Sequence, residues 1–271
     1  MSGPLHPSGP LVPLLEIAIG AGVGFLIGLT GLGSGSLLTP LLILAAGFSP
    51  TSAVAASLVF SCLTKFGGSI QFIRRKLVNF EIVRDLLLGG LPGVLAGAAV
   101  FHWLGIQHPE HQSRFLVRSI GLALILVAVI LLVRLLPEKH RPEIADRELN
   151  LHPRVRQAAV IASGFIVGIF VSVTSIGAGA ALMPVMVLCY RMEIETLVGS
   201  NVFASAILAA VAALPHAGLG NVPWVAVAFL LAGSLPAMWI AGHLHGRIPS
   251  RIPQGILAAA LLGMGLRIFV F

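Results

Sequence analysis

Long apolar stretches without any charged residue dominate the chain. No Asp, Glu, Lys or Arg occurs in residues 17–64, 86–109, 157–190, 196–246 or 252–266. A helix needs about 20 mostly apolar residues to cross a bilayer, so these stretches together contain many membrane spans. The pattern predicts an all-α integral membrane protein that crosses the bilayer several times.

Glycine, proline and charged residues divide the apolar stretches into ten predicted segments. Two of them, residues 36–47 and 180–190, are too short to cross a hydrocarbon core of about 30 Å at about 1.5 Å per residue. Each short segment follows a Gly/Ser-rich break in the helical pattern, which predicts short broken helices at the centre of the protein. The ten segments are residues 12–29, 36–47, 51–73, 83–104, 115–136, 157–173, 180–190, 195–216, 223–245 and 253–271.

The sequence repeats itself at a shift of 144 positions. Glycine and proline matches that keep one offset over many residues are not expected by chance in apolar sequence. We therefore expect two homologous transmembrane repeats, residues 1–136 and 157–271, joined by a cytoplasmic linker at residues 137–156. The matching pairs are Thr30 and Thr174, Gly33 and Gly177, Gly35 and Gly179, Leu38 and Leu182, Pro40 and Pro184, Val54 and Val198, Ser61 and Ser205, Val78 and Val222, Gly89 and Gly233, Leu91 and Leu235, and Pro92 and Pro236.

Basic residues cluster in three loops, which predicts the orientation in the membrane. The first loop lies within residues 74–84 and has basic residues at both ends. The second is the linker, with basic residues between 139 and 156, and the third lies between Arg247 and Arg251. Cytoplasmic loops carry an excess of Lys and Arg, so we place all three loops in the cytoplasm and both termini outside. Each repeat then has about five segments, an odd number, and the second repeat enters from the opposite face. Such inverted-topology repeats are typical of secondary transporters.

Composition excludes several classes of protein. The 271-residue chain is 57% hydrophobic and only 10% charged, whereas soluble domains average about 25% charged residues, so a soluble enzyme and a disordered chain are excluded. The net charge of +7 comes from clustered loop residues without adjacent exposed aromatic residues, so no nucleic-acid partner is expected. Cys62 and Cys189 lie in separate apolar segments and are expected to act only as small hydrophobic side chains.

The two breaks carry the strongest chemical signal. Glycine residues spaced by two interrupt a helix and let backbone N–H groups point inward, and a short helix that begins there has a partial positive charge at its N-terminus. Two such N-termini would form an anion site without a formal charge; the alternative is close packing around small residues. The candidates are Gly31, Gly33, Ser34, Gly35 and Ser36 in the first break, and Ser175, Gly177, Ala178 and Gly179 in the second.

Three polar side chains inside predicted spans are further candidates. A buried ammonium is costly unless it is paired or hydrated, so Lys65 could attract an anion or titrate in proton coupling; alternatively its side chain extends to the nearby interface. Ser57 and Asn201 occupy equivalent positions of the two repeats and could donate hydrogen bonds to an oxyanion. The alternative is that they join helices to one another or bond their own backbone.

No catalytic, metal or cofactor site is predicted. The sequence lacks GxSxG, HExxH and P-loop motifs, and it lacks a pair of intramembrane carboxylates that could act as acid and base. His108 and His111 have too few carboxylate or thiol partners for a metal site. His216 could carry protons, although an interfacial histidine is the more common explanation. Asp85 beside Arg84 is typical of an interfacial ion pair.

The pattern of motifs resembles the TauE/SafE sulfite-exporter family. The resemblance rests on the glycine-rich break followed by Pro40, on the stretch Ala53–Leu58 (AVAASL) and on Gly89–Gly93 (GGLPG), together with the duplication. In the second break Ser175, Ala178 and Ala180 stand where the family more often has glycine. The resemblance implies export of sulfite or a related small sulfur-containing anion, such as sulfoacetate or thiosulfate, driven by the membrane potential or a proton gradient.

These observations together predict a secondary transporter of the cytoplasmic membrane that works by alternating access around a central anion site. Protons are the candidate coupling ion, lipid surrounds the apolar surface, and a homo-oligomer is compatible with that surface. Two other functions stay open: a passive channel or importer for another small anion, and a membrane scaffold without transport.

Overall fold

The computed structural model describes residues 11–30, 35–107, 109–135, 152–176, 178–190, 192–244 and 251–270. In these ranges the protein consists of α-helices and short connections, with no strand. The helices are α1 (Val12–Thr30), α2 (Gly35–Leu44), α3 (Pro50–Arg74), α4 (Phe80–Gln107), α5 (Pro109–Leu135), α6 (Pro153–Thr174), α7 (Ala178–Cys189), α8 (Ile194–Gly218), α9 (Trp224–Leu244) and α10 (Arg251–Val270).

Each of the ten predicted segments corresponds to one helix, and the all-α class is confirmed for the described residues. Six of the described helices are long and apolar enough to cross a membrane. The two segments predicted to be short are short: α2 has 10 residues and α7 has 12. At about 1.5 Å per residue, each covers only about half of a hydrocarbon core.

The most extensive interfaces join helices from opposite sides of the linker. Helix α4 packs along α6, α1 along α9, α5 along α10 and α3 along α8. Each interface therefore pairs a helix that precedes residues 137–156 with one that follows them. The two parts of the chain interlock into one helical body.

In two of these pairs, glycine residues allow the two helices to approach until their backbones are in contact. A Cβ atom added to Gly89 on α4 would collide with the carbonyl group of Ile161 on α6, and one added to Gly233 on α9 would collide with that of Ile17 on α1. Small residues permit such contact between membrane helices. Gly89 and Gly233 are one of the matched pairs of the repeat, so equivalent glycines serve equivalent interfaces.

Helices α3 and α8 form the interior of the protein. In the apolar 18-residue stretch of each long helix, 67% of the residues are buried in α3 and 61% in α8. In the other four long helices at most 44% are buried. Helix α3 begins at Pro50, where the side chain of Ser49 caps it by accepting a hydrogen bond from the N–H of Ser52. A polar side chain on the facing surfaces of α3 and α8 is therefore enclosed by protein rather than by lipid.

Candidate functional site

The second break is a tight reversal between α6 and α7. Ser175 has a left-handed backbone with φ of 60°, and its N–H donates to the carbonyl of Val171 at 2.8 Å. The next N–H, that of Ile176, donates to Oγ1 of Thr174 at 3.2 Å. The amides of Ser175 and Ile176 thus already have acceptors, while the Ser175 hydroxyl is buried without a partner among the described residues.

The first turn of α7 is where the candidate backbone donors of the second break lie. The first four N–H groups of an α-helix have no acceptor within the helix, and they carry the partial positive charge of the helix dipole. Ala178 and Gly179, two of the candidates from the sequence, belong to this turn. Gly177, which precedes it, lies outside the described residues.

Asn201 on α8 is placed against this turn. Its side-chain Nδ2 donates to the carbonyl of Gly179 at 2.8 Å. The side chain is 3% exposed, and its Oδ1 has no hydrogen-bond partner among the described residues. The structure therefore brings together two of the candidates predicted from sequence, on two different helices.

The start of α2 also lies close to the reversal. Helix α2 begins at Gly35, so Gly35 and Ser36 belong to its first turn, and Ser36 is buried. The hydroxyl of Thr39, one turn further along, donates to the carbonyl of Thr174 at 3.5 Å. The remaining candidates of the first break, Gly31, Gly33 and Ser34, lie outside the described residues.

Ser57 is the counterpart of Asn201 on α3. It is completely buried, and its hydroxyl has no hydrogen-bond partner among the described residues. Most buried polar groups in proteins are paired, so Ser57 stays a candidate for contact with a bound anion. Ser205, one turn beyond Asn201, differs because its hydroxyl bonds the carbonyl of Val202 on its own helix.

Lys65 lies on α3 two turns beyond Ser57, or about 12 Å along the helix axis. The residue is 9% exposed, which favours enclosure within the protein over extension to the interface. Among the described residues its ammonium forms no ion pair with a carboxylate. A buried charge without a counterion is expensive, so Lys65 stays a candidate for contact with an anion.

His216 lies far from Asn201 along α8. It lies on α8, 15 residues beyond Asn201, which corresponds to about 22 Å along the helix. Its ring is buried and lies 5.5 Å from the ring of Phe101, measured between centroids. Within the described residues there is no group of three His, Cys, Asp or Glu side chains that could hold a metal ion, although His108 falls outside them.

Comparison with known proteins assigns this helical body to a family. The sequence profile of the sulfite exporter TauE/SafE family matches residues 16–268. The chain belongs to the TauE/SafE family. It is 34% identical over 253 residues to the probable membrane transporter protein YjnA of Bacillus subtilis (strain 168), covering 93% of this chain and 98% of that protein.

A second relative from the same organism is more distant. The probable membrane transporter protein YunE of Bacillus subtilis (strain 168) is 24% identical over 246 residues, covering 87% of this chain and 88% of that protein. No solved structure matches the chain. Family membership and both relatives indicate a membrane transporter, which agrees with the class predicted from the sequence.

This TauE/SafE protein also contains a polar cluster that sequence reasoning did not find. Asp85 on α4 accepts hydrogen bonds from Arg84 at 3.0 Å, from Nε2 of Gln157 on α6 at 3.0 Å, and from the hydroxyl of Tyr190 at 3.3 Å. The guanidinium of Arg156 lies 5.0 Å from the centroid of the Tyr190 ring. The ion pair with Arg84 was predicted, but the partners on α6 and after α7 are far away in sequence.

The cluster fixes the end of α7 opposite to the candidate site. Tyr190 directly follows the last residue of α7, and partial burial together with the Asp85 carboxylate raises its pKa to about 12. The phenol therefore keeps its proton at neutral pH and remains the donor to Asp85. One end of α7 thus meets Asn201 and the other is tied to α4 and α6.

Proposed function

We propose that the protein is a secondary transporter that exports sulfite or a related small sulfur-containing anion, such as sulfoacetate or thiosulfate, across the cytoplasmic membrane. Membership of the TauE/SafE family and the two transporter relatives support the class of protein. The sulfur chemistry comes from the name of the family. The physical chemistry of the site supports a negative charge on the substrate.

The contact between Asn201 and the first turn of α7 carries the proposal. It places a buried polar side chain against the first turn of a helix, whose N–H groups have no acceptor within that helix. Helix N-termini bind oxyanions through these donors and through the dipole. Ser57 and the Ser175 hydroxyl add buried groups without partners among the described residues, and Gly31, Gly33, Ser34 and Gly177 belong to the same proposed site.

Lys65 adds a positive potential to this site. At about 12 Å and an effective dielectric constant of about 20, its charge attracts an anion near Ser57 by roughly 1.4 kcal/mol. The attraction is moderate, so it favours entry of the anion without preventing its release. Protons are the proposed coupling ion.

Two inverted repeats explain the pairing of helices. In the repeat, α1 is equivalent to α6 and α4 is equivalent to α9. The interface of α1 with α9 is therefore the counterpart of the interface of α6 with α4, and these are two of the most extensive interfaces in the protein. Transporters with such repeats move one bundle against the other around a fixed central site. We place residues 137–156 and the basic loops in the cytoplasm, with both termini outside.

Flux of sulfite into proteoliposomes that contain the purified protein tests the function. Saturable uptake that is inhibited by sulfoacetate but not by chloride supports the proposal. Uptake of another anion with no response to sulfite points to an importer or channel for a different solute. No flux of any sulfur oxyanion, in vesicles that hold a gradient, points to a scaffold.

A double substitution tests the location of the site. Gly33→Leu together with Gly177→Leu places bulk at both breaks and is expected to abolish transport. The matched control is Gly22→Leu together with Gly263→Leu, because both of these glycines face open space. If the first pair transports as well as the control pair, the substrate does not bind at the breaks.

A further inference from the structure

The orientation of the Asn201 amide is fixed by its contact with α7. The carbonyl oxygen of Gly179 can only accept a hydrogen bond, so the NH₂ group of Asn201 must face it, at 2.8 Å. Oδ1 therefore points to the other side. It is a hydrogen-bond acceptor in a side chain that is 3% exposed, and among the described residues nothing donates to it.

A buried acceptor restricts which anion can bind beside it. A carbonyl oxygen repels the oxygen of an anion unless that oxygen, or a neighbouring group, carries a hydrogen atom. Leaving such an acceptor buried and unpaired is costly. Ser57 and Ser175 impose no comparable restriction, because a hydroxyl group can donate or accept by rotation.

We infer that the substrate presents a hydrogen-bond donor to Oδ1 of Asn201 while its anionic oxygens face the N–H groups of α7. The substrate class is an anion that bears an O–H or N–H group, and an aprotic anion of equal charge is discriminated against. The inference rests on the proposed function, since it specifies the ligand of the same site. Hydrogen sulfite satisfies it through its own O–H, and a hydroxyalkyl or aminoalkyl sulfonate through its substituent. Thiosulfate and the sulfoacetate dianion have no such group, so among the anions of the proposed function the inference favours hydrogen sulfite.

Two anions of the same charge and nearly the same shape test the inference. Sulfamate and methanesulfonate both carry one negative charge on a sulfonate group at neutral pH, but sulfamate has NH₂ where methanesulfonate has CH₃. We expect sulfamate to inhibit sulfite flux with an inhibition constant lower by on the order of tenfold, because only sulfamate pairs with Oδ1. Calorimetry on the purified protein measures the same ratio without transport.

The variant Asn201→Leu removes the acceptor and keeps a similar side-chain volume. We expect the preference for sulfamate to fall to about one in this variant, while the control Ser205→Ala keeps it, since the Ser205 hydroxyl bonds its own helix. If Asn201→Leu does not fold, Asn201→Ser provides the comparison. Because a hydroxyl group can either donate or accept a hydrogen bond, we expect this variant to show a smaller preference for sulfamate than the wild type.

The outcomes separate this inference from the proposed function. Equal inhibition by sulfamate and methanesulfonate in the wild-type protein, with intact sulfite flux, overturns the inference and leaves the transporter proposal standing. Absence of sulfite flux, with calorimetric preference for sulfamate, retains the inference and overturns sulfite as the substrate. A second pair, 2-hydroxyethanesulfonate and ethanesulfonate, distinguishes a donor on the carbon chain from one on the sulfur group.

Discussion

Helices α3 and α8 occupy equivalent places in the two parts of the sequence, yet their polar side chains differ. Both form the interior of the protein. Helix α3 has Ser57 and the buried Lys65, whereas α8 has Asn201 and, at the position equivalent to Lys65, Ala209. The charge of the proposed site therefore lies on one helix and its oriented amide on the other.

The attachments of the two helices differ in the same way. On α8, Ser200 accepts a hydrogen bond from the N–H of Asn79 at 2.8 Å and donates to the carbonyl of Thr196 at 2.7 Å. The equivalent residues are Ala56 on α3, which has no hydroxyl, and Pro223, which has no N–H. Equivalent positions of α3 and α8 thus share a place in the helical body but not their polar side chains. We expect α8 to determine which anion binds and α3 to determine how strongly the negative charge of the anion contributes to its affinity.

Among the single substitutions, loss of the Asn201 amide is expected to have the largest effect on transport. The variant Asn201→Leu removes a group that bonds the first turn of α7 and, in the proposed site, orients the substrate. Hydrogen bonds that involve a charged partner contribute about 1.5–3 kcal/mol, so we expect kcat/KM for sulfite flux to fall roughly 10- to 100-fold. A variant with unchanged kcat/KM would place the substrate elsewhere.

Replacement of Lys65 is expected to have the next largest effect. Lys65→Met removes an attraction of roughly 1.4 kcal/mol, so KM should rise about tenfold, while Lys65→Arg should stay close to the wild type. The double variant Lys65→Ala with Ala209→Lys moves the charge to the other repeat. Recovery of flux in that variant would show that position within the pair is unimportant, which contradicts the division of roles between α3 and α8.

Removal of the Ser57 hydroxyl should have a smaller effect. A neutral hydrogen bond contributes about 1 kcal/mol, so Ser57→Ala is expected to raise KM about fivefold without changing the preference for sulfamate over methanesulfonate. Inhibition curves for both anions measure the two quantities together. A changed preference would mean that α3 also selects the anion.

The smallest effect is expected at the far end of α7. Tyr190→Phe removes the donor to Asp85 and keeps the aromatic ring beside Arg156. The loss of about 1 kcal/mol should lower the unfolding temperature in detergent by about 2–4 °C, with little change in KM. If KM changes more than the unfolding temperature predicts, the cluster also controls the position of the first turn of α7.

The sequence predicted the helices well because their signals are local. Charge-free stretches and glycine spacing located α2 and α7 within a few residues, and the repeat singled out Ser57 and Asn201 as equivalent positions. The pairing of α1 with α9 could not be predicted, because lipid-facing and protein-facing apolar surfaces have the same composition. The Asp85 cluster was missed because Gln157 and Tyr190 are distant in sequence and common residue types. The hydrogen bond from the Ser175 N–H to the carbonyl of Val171 on α6 depends on the left-handed backbone of Ser175. No sequence pattern predicts that conformation.

Counterflow of sulfite tests the central claim most directly. Proteoliposomes loaded with unlabelled sulfite are diluted into a trace of labelled sulfite, and the label inside is followed with time. A carrier with one central anion site predicts transient accumulation of label above its outside concentration, and loss of that accumulation in the double variant Gly33→Leu with Gly177→Leu. Label that only equilibrates, in vesicles with active protein, would contradict alternating access and identify a passive channel.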